Sequence, residues 1–267
     1  MESVPAGLER LDAAAIAAAL GPRAGEIEIE VVSSCSSTNT LLLERADCDL
    51  PALLAADHQS AGRGRHGRRW HAAPGAGISF SLHRRMRRSL RELAGASLAA
   101  GVAVARALRA AGAPGIALKW PNDLLVPGGA KVGGILIETR VQGRSAVAVI
   151  GIGVNYRSAP DARVRQRTAA LENVLRPLPP RNVLIGAMAC QLLDVLDSFD
   201  ACGLALLREE WESLHAHAGQ RIRLRLADGS VVSGIHTGVA EDGAMRVRTR
   251  DGVRALHSAR VLSARPA

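Results

Sequence analysis

Aromatic residues, lysines and long apolar runs are scarce in this chain. Among its 267 residues are three Trp, two Phe and one Tyr, so a nucleic-acid surface that stacks bases on aromatic rings is poorly supported. No run reaches the roughly 18 apolar residues of a membrane span. The apolar stretch at 11–20 has acidic neighbours and no basic segment before it, unlike a secretion signal. We therefore expect a soluble, cytoplasmic protein that does not bind a membrane.

Cysteine and histidine do not form a recognisable metal or redox motif. The four cysteines are Cys35, Cys48, Cys190 and Cys202. Their spacing fits neither a zinc site nor a CxxC pair, so we expect free thiols in a reducing compartment. His215 and His217 lie close together but lack a third ligand nearby. We expect them at the end of a helix, where a positive side chain interacts favourably with the helix dipole.

Arginine, by contrast, is abundant and concentrated. The net charge is +9, and residues 62–91 hold nine Arg without one Asp or Glu. Such a cluster indicates an anionic partner, which could be nucleic acid, an acidic protein or a phosphorylated substrate. Only two of the 34 basic residues are Lys, namely Lys119 and Lys131. They are candidates for a role that needs a compact ammonium on a flexible stem.

The apolar pattern predicts strands and helices without regular βαβ alternation. Strands are predicted at 26–32, 52–57 and 77–84, followed by a meander between 116 and 156. Helices are predicted near 10–19, from Ser36 or Ser37 to about Ala46, and at 89–112, 182–199 and 203–217. Residues 157–181 are polar and rich in Arg and Pro, which predicts a mobile connection.

The pattern of the sequence changes at Gly219. Short β-like runs alternate with Asp-Gly pairs at 228/229, 242/243 and 251/252, each a tight-turn signal. This pattern predicts a small antiparallel barrel. We therefore divide the chain into residues 1–218, a larger domain, and 219–267, the barrel, and expect Trp211 to pack where they meet.

The stretch "QSAGRGRHGRRW" at 59–70 combines flexible backbone with positive charge. Glycines allow backbone N–H groups to approach a ligand closely, and Arg63, Arg65, Arg68 and Arg69 offer forks for carboxylate or phosphate. Repulsion between the arginines would make the loop hard to order without an anion. A ligand clamp and an RNA-binding segment are both consistent with this stretch alone.

A second motif, "LKWPNDLLVPGGAKVGGILIE", contains both lysines. Pro121 restricts Trp120 to extended backbone, so Asn122 and Asp123 should project from a fixed place. Gly133 and Gly134 would let a flat group lie against a strand. "PND" and "PGG" are also ordinary turn sequences, but that interpretation does not explain why both lysines lie here.

Two shorter motifs complete the set. "SSTN" at 36–39 is either a helix N-cap or the polar wall of a pocket. "GIGVNY" at 151–156 has glycines that indicate close approach to a strand, but it lacks the GxGxxG spacing of a dinucleotide site.

Taken together and in this order, "SSTN", "QSAGRGRHGRRW", "KWPNDLL", "KVGGILIE" and "GIGVN" resemble the biotin protein ligases, over about residues 27–262. The resemblance implies an α+β fold with a mixed, mostly antiparallel central sheet, like the class II synthetases, followed by an SH3-like barrel. It implies that biotin and ATP, with Mg²⁺, form biotinyl-5′-AMP, and that the biotinyl group passes to a lysine of a carboxylase carrier domain.

The resemblance also implies site residues. Biotin would be contacted by Ser37, Thr38, Asn39, Gln59, Arg63, Gly64, Arg65 and Lys131. ATP or the adenylate would be contacted by Arg63, Arg65, Arg68, Trp70, Lys119, Asn122, Lys131, Gly133, Gly134 and Asn155. Lys131, Arg65 and Asp123 would take part in the chemistry, with Lys131 bridging carboxylate and α-phosphate. No protein metal ligand is implied, since Mg²⁺ would arrive with ATP.

The chain departs from the family in two places. Bifunctional members carry a DNA-binding domain before the catalytic domain, and because few residues precede the first strand we expect no operator binding here. His66 stands where Arg is common, so loop closure could weaken at alkaline pH. Pairing of two copies through the central sheet is left open. The alternatives are a lipoate protein ligase, a nucleic-acid-binding protein and an inactive biotin-binding scaffold.

Overall fold

The computed structural model describes residues 9–45, 50–142, 145–159 and 167–267. A seven-stranded sheet forms its centre. Its strands are β1 Glu28–Cys35, β2 Ala52–Gln59, β3 Gly77–Met86, β4 Ala117–Lys119, β5 Asp123–Leu125, β6 Lys131–Gln142 and β7 Ser145–Asn155. They lie in the order β1-β2-β3-β7-β6-β5-β4, with β1 and β2 parallel and the other neighbours antiparallel. The predicted α+β fold with a mixed, mostly antiparallel sheet is confirmed.

Helices pack on both faces of this sheet, with more helices on one face than on the other. They are α1 Ala13–Leu20, α2 Thr38–Glu44, α3 Ala96–Ala110, α4 Arg181–Cys202 and α5 Arg208–Leu214. Helices α1, α3 and α4 pack together over one face, onto which Ile78, Phe80 and Leu82 of β3 point. The short α2 packs on the other face, where Leu42 meets Leu54 and Val149. The rest of that second face is left for a cavity.

Several predicted bounds shift. The first strand begins at Glu28 rather than 26, and α3 begins at Ala96 after a 3₁₀ turn, Glu92–Gly95. Ser37 is the N-cap of α2, but its side chain makes no capping hydrogen bond. The predicted end of this helix at Ala46, Cys48 and the middle of the 157–181 connection lie outside the described residues.

A second sheet of five antiparallel strands follows α5. Its strands are β8 Arg221–Arg225, β9 Val231–Val239, β10 Met245–Thr249, β11 Gly252–Leu256 and β12 Arg260–Arg265, in the order β11-β10-β9-β8-β12. The glycine of each Asp-Gly pair has a positive φ, between 80° and 115°, as tight turns require. A separate C-terminal β domain is thus confirmed, while the boundary between residues 218 and 219 stays a prediction.

Aromatic rings join the two sheets. Trp211 of α5 is buried and stacks on His215 at 4.6 Å between ring centroids, and His215 lies 4.5 Å from His236 of β9. Burial lowers the pKa of His215 to about 3 and also lowers that of His217. His215 is the C-cap residue of α5, so its predicted position at a helix end is confirmed. Because burial disfavours its charged form, we no longer expect His215 to interact with the helix dipole as a cation.

Two helical stretches, Glu92–Ala110 and Arg181–Cys202, have the length and apolar composition of membrane spans. Most of each stretch is buried inside the fold, as in core helices of soluble proteins. Three of the cysteines, Cys35, Cys190 and Cys202, are free thiols. Burial raises the pKa of Cys35 to about 11, so this thiol stays protonated at neutral pH.

Candidate functional site

Small side chains on one face of the sheet create a cavity of about 1020 Å³. Gly134, Gly151 and Gly153 face it from the neighbouring strands β6 and β7. In a strand, side chains alternate between faces, so the apolar residues between these glycines fill the opposite face. One face of these strands is therefore covered by packed apolar side chains, and the other face borders the cavity. The volume is at the upper end of ordinary ligand pockets.

A hydrogen-bonded polar wall closes one end of the cavity. It consists of Ser37, Thr38 and Asn39 at the start of α2, with Gln59 of β2 and Ser81 of β3. Gln59 Oε1 accepts hydrogen bonds from the Thr38 backbone N–H at 2.8 Å and from Thr38 Oγ1 at 3.1 Å. Ser81 Oγ lies 2.7 Å from Thr38 Oγ1 and donates to Asn39 Oδ1 at 2.5 Å. The wall thus has a fixed shape without a ligand.

The Gly/Arg loop, residues 62–70, lines the same cavity. Its ends are joined by the Trp70 N–H to Gly62 C=O bond at 2.9 Å, and Gly64 N–H donates to Arg68 C=O at 2.7 Å. Between them His66 has a positive φ of 57°, rare for a residue other than glycine. Backbone bonds therefore shape this loop. The expectation that it stays disordered without an anion remains a prediction.

Three of the four arginine side chains of the loop, Arg63, Arg68 and Arg69, are exposed to solvent. Arg63 donates to Glu138 Oε2 at 2.8 Å while 43 % of its side chain is exposed. Glu138 also accepts from Asn39 Nδ2 at 2.9 Å and so connects the loop with the polar wall. Arg65 is partly buried, and desolvation lowers the pKa of its guanidinium below the ordinary value, although the nearby Asp123 carboxylate partly offsets this effect.

Two glycines of β7 make room for site side chains. A Cβ on Gly151 would overlap Asn39 Oδ1, and one on Gly153 would lie 2.6 Å from the Trp70 ring. The "GIGVN" motif was expected to allow close approach to this strand. The neighbours that approach it are Asn39 of the polar wall and Trp70 of the loop. The indole N–H of Trp70 is buried and has no hydrogen-bond partner within the described structure.

The two scarce lysines lie on opposite sides of a tight hairpin. Lys131 Nζ is 2.5 Å from Asp123 Oδ1 and 5.8 Å from the centroid of the Trp70 ring. The hairpin pairs Lys119 of β4 with Asp123 of β5, with Trp120, Pro121 and Asn122 as its turn. Both interpretations of "WPND" therefore hold, since the segment is a turn and Lys119, directly before it, lines the cavity together with Lys131.

Two asparagines hold neighbouring backbone segments in place. Asn122 Nδ2 donates to Ile135 C=O at 2.7 Å, and Asn155 Nδ2 donates to Ala169 C=O at 3.0 Å. The backbone of residues 167–169 hydrogen-bonds to Lys131, which brings Thr168 to the cavity. Part of the predicted 157–181 connection therefore lies beside the site.

Positive charge dominates the cavity. Its lining carries eight lysines and arginines: Arg63, Arg65, Arg68, Arg69, Lys119, Lys131, Arg225 and Arg260. Asp123 is the one acidic residue among the described lining residues. In a partly desolvated space these cations favour an anionic ligand. A polyphosphate and a carboxylate could be held there together despite their mutual repulsion.

All predicted site residues but one line this cavity. The exception is Gly133, whose missing side chain faces Leu124 and Val154 on the opposite side of β6. Gly134, its neighbour, faces the cavity because consecutive strand residues alternate. Gly134 therefore lines the cavity, while the expected contact of Gly133 with a ligand stays a prediction. The roles assigned to the other residues stay predictions.

The sequence analysis missed several residues of the site. Ser81 is fully buried in the polar wall, and Glu138 joins Arg63 to Asn39. A serine or glutamate in a strand looks ordinary until the sheet register is known. Arg225 and Arg260 reach the cavity from the second sheet, to which the sequence analysis assigned no site residue.

Sequence comparison places these features in a family. A sequence profile of the Biotin/lipoate A/B protein ligase family matches residues 31–155, and one of the Biotin protein ligase C terminal domain matches 217–262. The Biotin–[acetyl-CoA-carboxylase] ligase of Mycobacterium tuberculosis is 34 % identical over 236 residues, 84 % of either chain. The chain belongs to the biotin protein ligase family.

Other relatives support this family assignment. The Bifunctional ligase/repressor BirA of Escherichia coli is 33 % identical over 229 residues, which cover 84 % of this chain and 70 % of that protein. The biotin protein ligase of Aquifex aeolicus, solved in complex with biotin and ATP, superposes with a TM-score of 0.73 at 23 % identity. It covers 90 % of this chain and 99 % of its own, which confirms the fold.

Proposed function

We propose that this chain is an ATP-dependent biotin protein ligase. It activates biotin as biotinyl-5′-AMP and transfers the biotinyl group to a lysine of a carboxylase carrier domain. The observation that carries this proposal is the cavity itself, in which a hydrogen-bonded polar wall faces a cluster of cations. The wall suits the polar head of biotin, and the cations suit the carboxylate and phosphates.

In the first half-reaction a biotin carboxylate oxygen attacks the α-phosphorus of ATP. The new P–O bond forms as the bond to the β-phosphate oxygen breaks, and pyrophosphate leaves. Both reactants are negative, so positive charge must lie where the new bond forms. Lys131, at the centre of the lining, bridges the two groups, and Arg65 approaches from the loop. Lys119 and Asn122 orient the phosphates.

In the second half-reaction the acceptor lysine attacks the acyl carbon, and AMP leaves. An amine must lose a proton to form the amide, and Asp123 is the carboxylate within the described lining. Its oxygen now holds Lys131 at 2.5 Å, so it becomes free to receive that proton when Lys131 turns to the phosphate. Trp70 and the Gly/Arg loop limit the access of water to the anhydride.

The residues present do not form a metal site of their own. Among the described residues no group of three or more His, Cys, Asp or Glu side chains could hold an ion. Mg²⁺ commonly binds through substrate phosphates and water, and we propose that it enters this site with ATP. The protein acts in the cytoplasm on a carrier domain.

The test is to incubate the purified protein with biotin, Mg²⁺ and α-labelled ATP without an acceptor. Protein-bound biotinyl-AMP is the expected product. Formation of lipoyl-AMP alone, when lipoate replaces biotin, would assign the chain to the lipoate branch of the family. If neither adenylate formed, the proposed activity would be wrong.

A further inference from the structure

The second sheet presents an arginine-rich face that the proposed chemistry does not use. Strands β8 and β12 are antiparallel neighbours, with Arg225 opposite Arg260 and Arg221 opposite Arg265. Paired residues point to the same side of a sheet, and alternate residues of one strand do so too. Five exposed side chains therefore share one side, which we call the arginine face: Arg221, Arg223, Arg225, Arg260 and Arg265.

Within the described part of the chain, none of these five arginines forms a salt bridge. Arg23 and Arg106, by contrast, each bind carboxylates at 2.5–2.8 Å. Like charges directly opposite each other destabilise a sheet. The other side of β8 is apolar, with Ile222 and Leu224 buried, so folding does not require charge on the exposed side. The arrangement suits an anionic surface that approaches from outside.

The arginine face is continuous with the mouth of the cavity. Arg225 and Arg260 line the cavity, and Arg221 lies four residues further along β8, about 13 Å away at the rise of a strand. An acceptor lysine must enter this mouth to reach an adenylate. The protein that carries it must therefore lie against the surface beside the mouth.

We propose that the arginine face docks an acidic surface of the acceptor protein. This inference rests on the proposed function, because it requires that a protein lysine is the acceptor. Charge complementarity beside the cavity would hold the acceptor in register and speed its encounter. A nucleic-acid partner is less well supported, since residues 219–267 contain no Phe, Trp or Tyr on which bases could stack.

The distal pair gives the sharpest test, because Arg221 and Arg265 belong to the face but do not line the cavity. The variant is Arg221→Glu with Arg265→Glu, assayed with the purified carrier domain of a bacterial acetyl-CoA carboxylase. We expect KM for the carrier to rise about tenfold or more, with kcat within about twofold. Biotinyl-AMP formation without acceptor should match the wild type.

The matched control is Arg91→Glu with Arg109→Glu. These arginines are exposed, lie on the α3 side of the molecule and do not line the cavity, and their reversal changes the net charge equally. We expect this control to change KM for the carrier by less than about twofold, since it removes only long-range attraction. If the reversed pair does not fold, Arg221→Gln with Arg265→Gln removes the charge with less repulsion.

The outcomes separate the two proposals. A wild-type protein that forms no adenylate would contradict the proposed function and the docking proposal with it. Normal adenylate formation with an unchanged KM for the carrier in the distal variant would overturn the docking proposal alone. An equal rise of KM in the control would also overturn it. The docking proposal would also be overturned if the distal variant lost binding to duplex DNA while its KM for the carrier stayed unchanged.

Discussion

The polar wall and the Gly/Arg loop both line one cavity, but they are held in different ways. In the wall, Thr38, Asn39 and Ser81 are buried, and their side chains hydrogen-bond one another. In the loop, backbone bonds fix the path while Arg63 and Arg68 stay exposed. The wall is therefore part of the folded core, and the loop can be altered at little cost to stability.

This difference suits two tasks. A small neutral head group is selected best by polar atoms that are already in place, because no ordering is needed on binding. A charged intermediate must be surrounded and later released, which a loop can do by opening and closing. Variants that alter only the wall or only the loop test whether each region has its own task.

The largest effect is expected at Lys131, which lines the cavity and lies 5.8 Å from the Trp70 ring centroid. Replacing it by Ala removes the cation from the position where carboxylate and phosphate meet. We expect adenylate formation to slow about 10²- to 10³-fold. The melting temperature should change little, because Asp123, left without its partner, is 18 % exposed and can be hydrated. Labelled biotinyl-AMP formation and thermal unfolding measure the two quantities.

Lys131→Arg is the companion variant. A planar guanidinium keeps the charge but cannot follow the phosphate as a compact ammonium does. We expect adenylate formation to stay at least about tenfold below wild type. Near-normal activity would refute the inference that Lys is retained here, in a chain rich in Arg, for its geometry.

Two glycines of β7 give the second test. In Gly151→Ala the new methyl group meets Asn39, whose bonds to Ser81 and Glu138 prevent it from moving. We expect a loss of about 1–3 kcal/mol in the free energy of unfolding, together with weaker biotin binding. In Gly153→Ala the methyl group meets Trp70, which can shift with the loop. Stability should fall less, while bound adenylate is released faster.

Gly25→Ala is the control for both variants, since a Cβ there meets nothing within 4 Å. Chemical denaturation gives the stabilities, and release of labelled adenylate gives the lifetime. Equal destabilisation by the two β7 substitutions would mean that loop and wall are equally rigid, contrary to the comparison.

The sequence predicted much of this site because its motifs are local. "SSTN", the Gly/Arg loop and "WPND" each keep their residues within one turn or loop, so each could be noticed as a local motif, and the resemblance to a family assigned them to one site. Which face a residue takes could not be predicted, as Gly133 shows, because that depends on strand register. Ser81 and Glu138 join the site through pairing across β3, β7 and β6. Burial likewise decided the charge of His215, which depends on strands distant in sequence.

The third test compares the losses in the free energy of unfolding caused by Ser81→Ala in the wall and Arg63→Ala in the loop, and we expect the smaller loss for Arg63→Ala. Removal of the Ser81 hydroxyl leaves Asn39 Oδ1 without its buried donor, which should cost about 1–3 kcal/mol. Removal of Arg63 breaks an ion pair whose arginine is 43 % exposed, which should cost less than about 1 kcal/mol. Urea unfolding measures both. If Arg63→Ala were the costlier change, the loop would belong to the core.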